Sequence, residues 1–354
     1  MKKRSMNVKQ NQRGFGIFLV LVFLLVGCDD QGTSKPVFPF EMTGQTMGTS
    51  FSIKASVLPD GVKTNQLNIE IKELLELVND QMSTYRPQSE LSIINNSDSV
   101  EWQPVSEALY SVLAEAKRIS DLTEGAFDIT VGPLVNLWGF GPDPLSFQAP
   151  SNEAILLAMR RIGYRNLKLR DEPLSIKKNH SDLYLDLSAI AKGYGVDQVG
   201  LLLEKLGIKD YLVEIGGELR LRGRKPDGNA WRIAIEKPSS EQRMIQKIVS
   251  ITDMSVATSG DYRNYFEVEG VRFSHTIDPR TGKSINHNLA SVTVLSETAM
   301  EADAWATAFM VLGAEDGLRL AEQLHLPVLF MTKTAQGFSE TSTSAYRDYF
   351  KEGQ

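Results

Sequence analysis

A single cysteine, Cys28, occurs in the 354 residues, so the chain can close no internal disulfide. An exported domain of this sequence must be held by its core alone. Lysine and arginine number 38 against 44 aspartates and glutamates, and no basic run follows Arg13. That balance lacks the electrostatic footprint of a nucleic-acid binder, and nucleic acid is excluded as a partner class. Histidines number only four, at His180, His275, His287 and His325, which leaves few candidates for a general base near neutral pH. The glycines of Gly193-Tyr194-Gly195 lack the third glycine or alanine of a dinucleotide-binding fingerprint, because Gln198 holds that place, and no Walker pattern occurs. A nucleotide could be held only on another fold. No period-length repeat, low-complexity tract or internal linker divides the chain after Phe40.

The place of the one cysteine is informative. Lys2, Lys3, Arg4, Lys9 and Arg13 precede the apolar run Phe15 to Val26, the charged-then-apolar order of a secretory signal. The run is too short to span a bilayer with comfort. Leu25-Val26-Gly27-Cys28 resembles the bacterial lipobox, in which cleavage leaves a lipidated cysteine as the new N-terminus. The expected organisation is a signal peptide over 1–27, a lipidated N-terminus and tether over 28–40, and one domain over 41–354. Asp29 resembles the signal that keeps such lipoproteins on the inner membrane, facing the periplasm, so the membrane contact would come from acyl chains.

Periodicity gives mixed elements. Thr64 is a candidate cap for a helix whose apolar positions Leu67, Ile71, Leu74, Leu75, Val78 and Met82 recur at helical spacing. Ser106 stands likewise before Leu109, Val112, Leu113, Ala116 and Ile119. Strand patterns cover Phe51 to Val57, Leu183 to Leu187, Tyr211 to Ile215, Trp231 to Ile235, Ile248 to Ile251, Val292 to Leu295 and Pro327 to Met331. Turn residues, not helices, separate several of these strands, so the expected fold is α+β: mixed, largely antiparallel sheets packed with helices.

Three constellations carry possible chemistry. In the first, Leu183, Leu185 and Leu187 alternate with Asp186, and a helix opening near Ala189 follows with Lys192 in its first turns. Amides at such a helix start can receive a phosphate and a carbonyl at the turn can face a cation. In the second, a helix over Glu297 to Gly313 sets Asp303 and Thr307 four residues apart on one face, two hard oxygen ligands suited to Mg2+. In the third, the turn Asp278-Pro279-Arg280-Thr281-Gly282 holds His275 in an extended position just before it. Taken singly, each also fits an ordinary solvated carboxylate, a helical threonine bonded back to a carbonyl, or a structural histidine.

Taken together, their order and wording closely resemble the ApbE family of periplasmic flavin transferases, the FAD:protein FMN transferases. The resemblance runs through Thr46-Met47-Gly48-Thr49, Met82-Ser83-Thr84-Tyr85, Gly125-Ala126-Phe127-Asp128-Ile129-Thr130, and Leu185 to Tyr194. It continues through Gly216-Gly217-Glu218, Ala257 to Arg263, His275 to Gly282, and Ala302 to Thr307. The resemblance implies FAD contacts at Met47, Tyr85, Ala126, Phe127, Asp128, Asp186, Lys192 and Ile277, and Mg2+ ligands at Ala189 (main-chain oxygen), Asp303 and Thr307. Two departures are visible: Lys192 stands where the family varies between lysine and glutamate, and Gly195 where alanine is frequent.

What the resemblance implies is Mg2+-dependent transfer of FMN from FAD to a threonine or serine hydroxyl of an acceptor protein, with release of AMP. His275 is the expected base, and Tyr85 and Phe127 are the expected aromatic faces for a flat ring. The implied acceptors are subunits of membrane redox assemblies such as the sodium-translocating NADH:quinone reductase and related electron-transport complexes. An FAD pyrophosphatase, with water in place of the hydroxyl, and a non-enzymatic flavin-binding lipoprotein are the alternatives.

Overall fold

The computed structural model describes residues 37–141, 149–236, 238, 245–261, 265–268 and 271–352. Cys28, Asp29, the signal over 1–27 and most of the tether lie outside the described residues, as do Tyr262 and Arg263. Among the described residues no helix is long and apolar enough to cross a membrane.

One eight-stranded sheet organises the rest. Its strands are β1 (Phe40–Thr46), β2 (Thr49–Ala55), β3 (Tyr211–Ile215), β4 (Glu218–Arg222), β5 (Ser255–Gly260), β6 (Leu289–Ser296), β7 (Val328–Thr334) and β8 (Gly337–Ser342). Lateral order follows chain order, and every neighbouring pair is antiparallel. The expected α+β class with antiparallel pairing is therefore the observed one. A tight turn at Met47-Gly48 joins β1 to β2, with φ of 50° and 70°. Positive φ at both central residues is the twist-matching hairpin geometry that favours glycine at the second.

The sheet is covered on both faces. Val292, Val294, Ala257, Val328 and Phe330 join a core with Trp305, Phe309 and the Leu183, Leu185, Leu187 set, whereas Leu295, Val256, Leu329 and Met331 pack on the other face with Trp231, Ile233 and Tyr346. Every residue of β6 is buried, as a strand with helices over one face and the Trp231–Glu236/Ile245–Ile251 hairpin over the other must be.

The long helices are α1 (Thr64–Met82), α2 (Glu107–Leu122), α3 (Ala191–Lys205) and α4 (Ala299–Leu312). Ser106 caps α2 as its position suggests, accepting from the Leu109 amide at 3.2 Å. Thr64 does not cap α1; it is the first helical residue, and the preceding Lys63 makes no side-chain cap. The helix forms because Leu67, Ile71, Leu75, Val78 and Met82 are buried, each stabilising by about 1.5–3 kcal/mol, more than the roughly 1 kcal/mol a cap supplies.

Leu183–Leu187 is not a strand. Its leucines are buried as the alternation requires, but no strand among the described residues pairs with it, and its backbone is satisfied singly. Asn95 clamps Leu185, donating from Nδ2 to the carbonyl and accepting at Oδ1 from the amide, both at 2.8 Å, and the Asp186 amide donates to Ile129 O at 2.7 Å. A side chain from another helix replaced the ladder, which no local pattern can announce. The following helix begins at Ala191, two residues later than expected.

Candidate functional site

The site grows from the ends of these elements. The Leu183–Asp186 segment delivers Asp186 to the surface, where Oδ1 accepts from the Ser188 amide at 2.9 Å and closes a short turn into α3. Lys192 then stands in the first turn of α3 and Asp303 in the second turn of α4. The Gly193 amide donates to Asp303 Oδ2 at 3.1 Å, so the two helices are joined at this point. Three amides at this helix start are spent within the fold, those of Ile190 and Ala191 on Leu187 O and that of Gly193 on Asp303, which narrows the set a phosphate could use.

Lys192 Nζ lies 3.3 Å from both oxygens of Asp303, 3.2 Å from Glu218 Oε1 and 3.4 Å from Ser188 O. Burial opposes its charge, but Asp303 and Glu218 outweigh burial and raise its pKa. Glu218 answers to the same balance with the opposite result: burial raises its pKa, Lys192 lowers it, Asp303 raises it again, and it is pushed up to about 8. Its Oε2 is buried with no hydrogen-bond partner. Two buried carboxyl groups thus share one ammonium, and Glu218 meets the shortfall by holding its proton more tightly. Asp303, Thr307 and Ala189 border one cavity, and a carboxylate, a hydroxyl and a main-chain carbonyl are the hard oxygens that suit Mg2+. Among the described residues there is no cluster of three His, Cys, Asp or Glu, so a cation here would rest on a carboxylate, a hydroxyl and a carbonyl.

That cavity, of about 430 Å3, is lined by Tyr85, Ala126, Phe127, Asp128, Asp186, Ala189, Lys192, His275, Ile277, Asp303 and Thr307. Met47 lines an adjoining cavity of about 730 Å3 that shares Tyr85, Asp186, Ser188 and Lys192 with the first. The larger is not the one holding His275, but the shared residues make the pair a single cleft, roomy enough for a ligand larger than either lobe. Gly195 has a role here: a Cβ on it would lie 2.7 Å from Met47 Cε, so glycine leaves Met47 its place.

Each remaining side chain has a local reason for its position. Asp128 Oδ1 accepts from the Thr130 amide (2.7 Å) and hydroxyl (2.6 Å) and Oδ2 from the Tyr164 amide (2.9 Å), which fixes the loop carrying Ala126 and Phe127. Burial pushes its pKa up, against those bonds. Phe127 is buried in the main core, so its ring is not an open face; Tyr85, 71% exposed where the two lobes meet, is the aromatic available to a flat ligand. His275 precedes the expected turn. There the Thr281 and Gly282 amides donate to Asp278 O, Gly282 takes φ 70°, and Trp138 Nε1 donates to Gly282 O at 2.9 Å. Phe140 meets the His275 ring edge-on, 6.2 Å between centroids.

Glu218 and Thr258-Ser259-Gly260, which carry no expected role in the sequence, line the cavity as well. The alternation Glu218-Leu219-Arg220-Leu221 points leucines inward on a one-faced sheet. On a sheet covered on both faces the charged positions are buried too.

The antiparallel sheet and the acid- and lysine-lined cleft under two helix starts define an α+β protein with a charged ligand cleft, not a Rossmann dinucleotide-binder. The chain belongs to the ApbE family, whose model matches residues 47–330. A relative from Vibrio cholerae named FAD:protein FMN transferase is 48% identical over 95% of this chain and 99% of its own, and one of the same name from Haemophilus influenzae is 43% identical over 86% and 90%. Among solved structures, the flavin transferase ApbE from Vibrio cholerae superposes with a TM-score of 0.82 at 48% identity, covering 87% of this chain and 98% of that one. The apo flavinyl transferase ApbE from Pseudomonas stutzeri gives 0.80 at 41%, covering 89% and 99%.

Proposed function

We propose that this chain is an FAD:protein FMN transferase that moves FMN from FAD to a threonine or serine hydroxyl of an acceptor protein, releasing AMP. The observation that carries the reading is the single cleft bordered by His275, Lys192, Asp303 and Thr307, with room for a dinucleotide-sized ligand. Asp186, Lys192, Ala126, Asp128 and Ile277 border the part that would hold the diphosphate and flavin, with Met47 in the adjoining lobe and Tyr85 over the join. Asp303, Thr307 and Ala189 O would hold Mg2+, which supplies neutralisation of charge on the diphosphate and on departing AMP.

The chain's own residues do the rest. His275 takes the proton of the acceptor hydroxyl, whose oxygen forms a bond to the FMN phosphorus as the bond from that phosphorus to the AMP oxygen breaks. Lys192 holds positive charge beside the diphosphate, kept protonated by Asp303 and Glu218. Its point charge suits a phosphate oxygen. The Asp278–Gly282 turn and Trp138 keep the His275 backbone from drifting, which general-base geometry requires.

The reading extends to location. Cys28 would carry acyl chains that hold the domain on the periplasmic face of the inner membrane, with Asp29 retaining it there. Subunits of the sodium-translocating NADH:quinone reductase and related electron-transport complexes are the acceptors this location favours, since tethering to one surface raises effective concentration.

Incubation with FAD, Mg2+ and a candidate acceptor, followed by mass and AMP, tests the reading. A gain of one FMN on an acceptor hydroxyl residue supports transfer, whereas AMP without adduct would make the protein a pyrophosphatase, and neither product would leave a binding module. His275→Ala is expected to slow transfer by about 10²–10⁴-fold. Wild-type rates in that variant at every pH would remove His275 as the base.

A further inference from the structure

The helices that carry Lys192 and Asp303 are tied by two carboxylates in opposite directions. Asp303 of α4 accepts from the Gly193 amide in the first turn of α3, at 3.1 Å. Asp197 of α3 accepts in return from the first turn of α4, Oδ1 from Ala299 N at 3.0 Å and Oδ2 from Met300 N at 2.9 Å. Each helix start therefore has orphan amides satisfied by an acid borne in the second turn of the other helix, and the dipole at each start favours that negative charge. The approach is close. A Cβ on Gly193 would lie 2.2 Å from Ala299 O, nearer than any residue with a side chain allows.

Asp197 is itself held. Arg220 Nη1 donates to Asp197 Oδ1 at 2.8 Å, Nη2 to Glu204 Oε1 at 3.0 Å and Nε to Tyr211 OH at 2.9 Å, and Tyr211 OH donates to Glu204 Oε1 at 2.6 Å. Asp197 and Arg220 are both buried. Gly200 makes room for the arginine, since a Cβ there would meet Arg220 Cδ at 2.5 Å. Strand β4 thus presents Glu218 to Lys192 and, two residues on, Arg220 to Asp197. Asp197 borders neither lobe of the cleft.

We propose that Asp197 is a positioning residue: held by Arg220, it fixes the start of α4 against α3 and so sets where Asp303 and Thr307 stand relative to Ala189. The inference rests on the reading of Asp303, Thr307 and Ala189 as a divalent-cation site. Tilting or sliding α4 by a fraction of a turn would leave the Asp303 and Thr307 oxygens pointing elsewhere, and Mg2+ tolerates little departure from octahedral geometry. Groups that orient ligands without touching the metal typically govern 10–100-fold of its affinity.

The test is Mn2+ binding to the full chain with saturating FAD, read from the paramagnetic resonance signal of the free ion, beside thermal unfolding in EDTA. Asp197→Asn is expected to fold and to raise the Mn2+ dissociation constant by about 10–100-fold. An unchanged constant in a folded Asp197→Asn protein overturns the proposal, because a purely structural role lowers the melting temperature and leaves the ion's affinity alone. If Asp197→Asn does not fold, Arg220→Lys decides. That variant keeps a cation against Asp197 but loses the hold of the guanidinium, so a several-fold weaker Mn2+ constant supports the proposal and an unchanged one overturns it. Asp303→Ala separates the two levels: retained wild-type affinity there overturns the cation reading itself, and the inference with it.

Discussion

Lys192 is the residue on which the local electrostatics turn. Its ammonium is the near cation for both Asp303 and Glu218, and Glu218 is desolvated with one oxygen unpartnered. Folded Glu218 keeps its proton up to about pH 8, whereas the unfolded chain gives it up near the ordinary value of 4.5. Between those limits the folded state binds more protons, so the stability this group contributes is fully present below its ordinary pKa and is lost as pH rises toward 8. Urea unfolding in EDTA across that window is expected to show a fall with pH that Glu218→Gln flattens; an equal slope in the variant would remove Glu218 as the cause. Asp303→Ala is expected to lower AMP release by about 10²-fold or more, since a Lewis-acid site supplies several kcal/mol at 1.36 kcal/mol per tenfold. AMP quantified at saturating FAD and Mg2+ measures it, and full activity would sink the metal assignment.

The element scale concerns how separate pieces meet. Helices α3 and α4 approach closely enough that Gly193 admits no side chain, with Ala299 O and Met300 Cα both inside 3 Å of a Cβ built there. Alanine is the better helix former by about 1 kcal/mol. The steric term dominates because the obstacle is backbone and cannot swing away, and overpacking of this kind costs about 1–3 kcal/mol. Gly193→Ala is thus expected to lower the urea midpoint without change in the slope, against the propensity gain; a raised midpoint would show that the helices yield. Legibility at this scale was uneven. The motif residues of α4 and the Asp278–Gly282 turn were readable because spacing along one element fixes one face. The state of Leu183–Leu187 was not, because its pairing partner is the side chain of Asn95 from another part of the chain.

At the scale of the whole molecule, the sheet runs its strands in chain order but with long excursions between them, and the cleft forms where the excursions return. Segments near residues 47, 85, 127, 186, 275 and 303 converge there. The larger question at this scale is where the molecule acts. If Cys28 carries the anchor, Cys28→Ser is expected to move the protein from the membrane to the soluble periplasmic fraction. Transfer to a soluble acceptor should persist, while labelling of membrane acceptors falls. Wild-type membrane recovery of the variant in fractionation would remove the lipid anchor.

By itself the sequence determined the antiparallel α+β class, the long amphipathic helices and the identity of most cleft residues, because periodicity and motif wording act within short stretches of chain. Only the tertiary structure decided that Glu218 and Arg220 are buried, that the start of α3 spends three amides on Leu187 and Asp303, and that Phe127 belongs to the core while Tyr85 stays open. Those outcomes depend on what covers the second face of a sheet and which distant side chain reaches an amide first. Such facts exist only once remote segments are in contact.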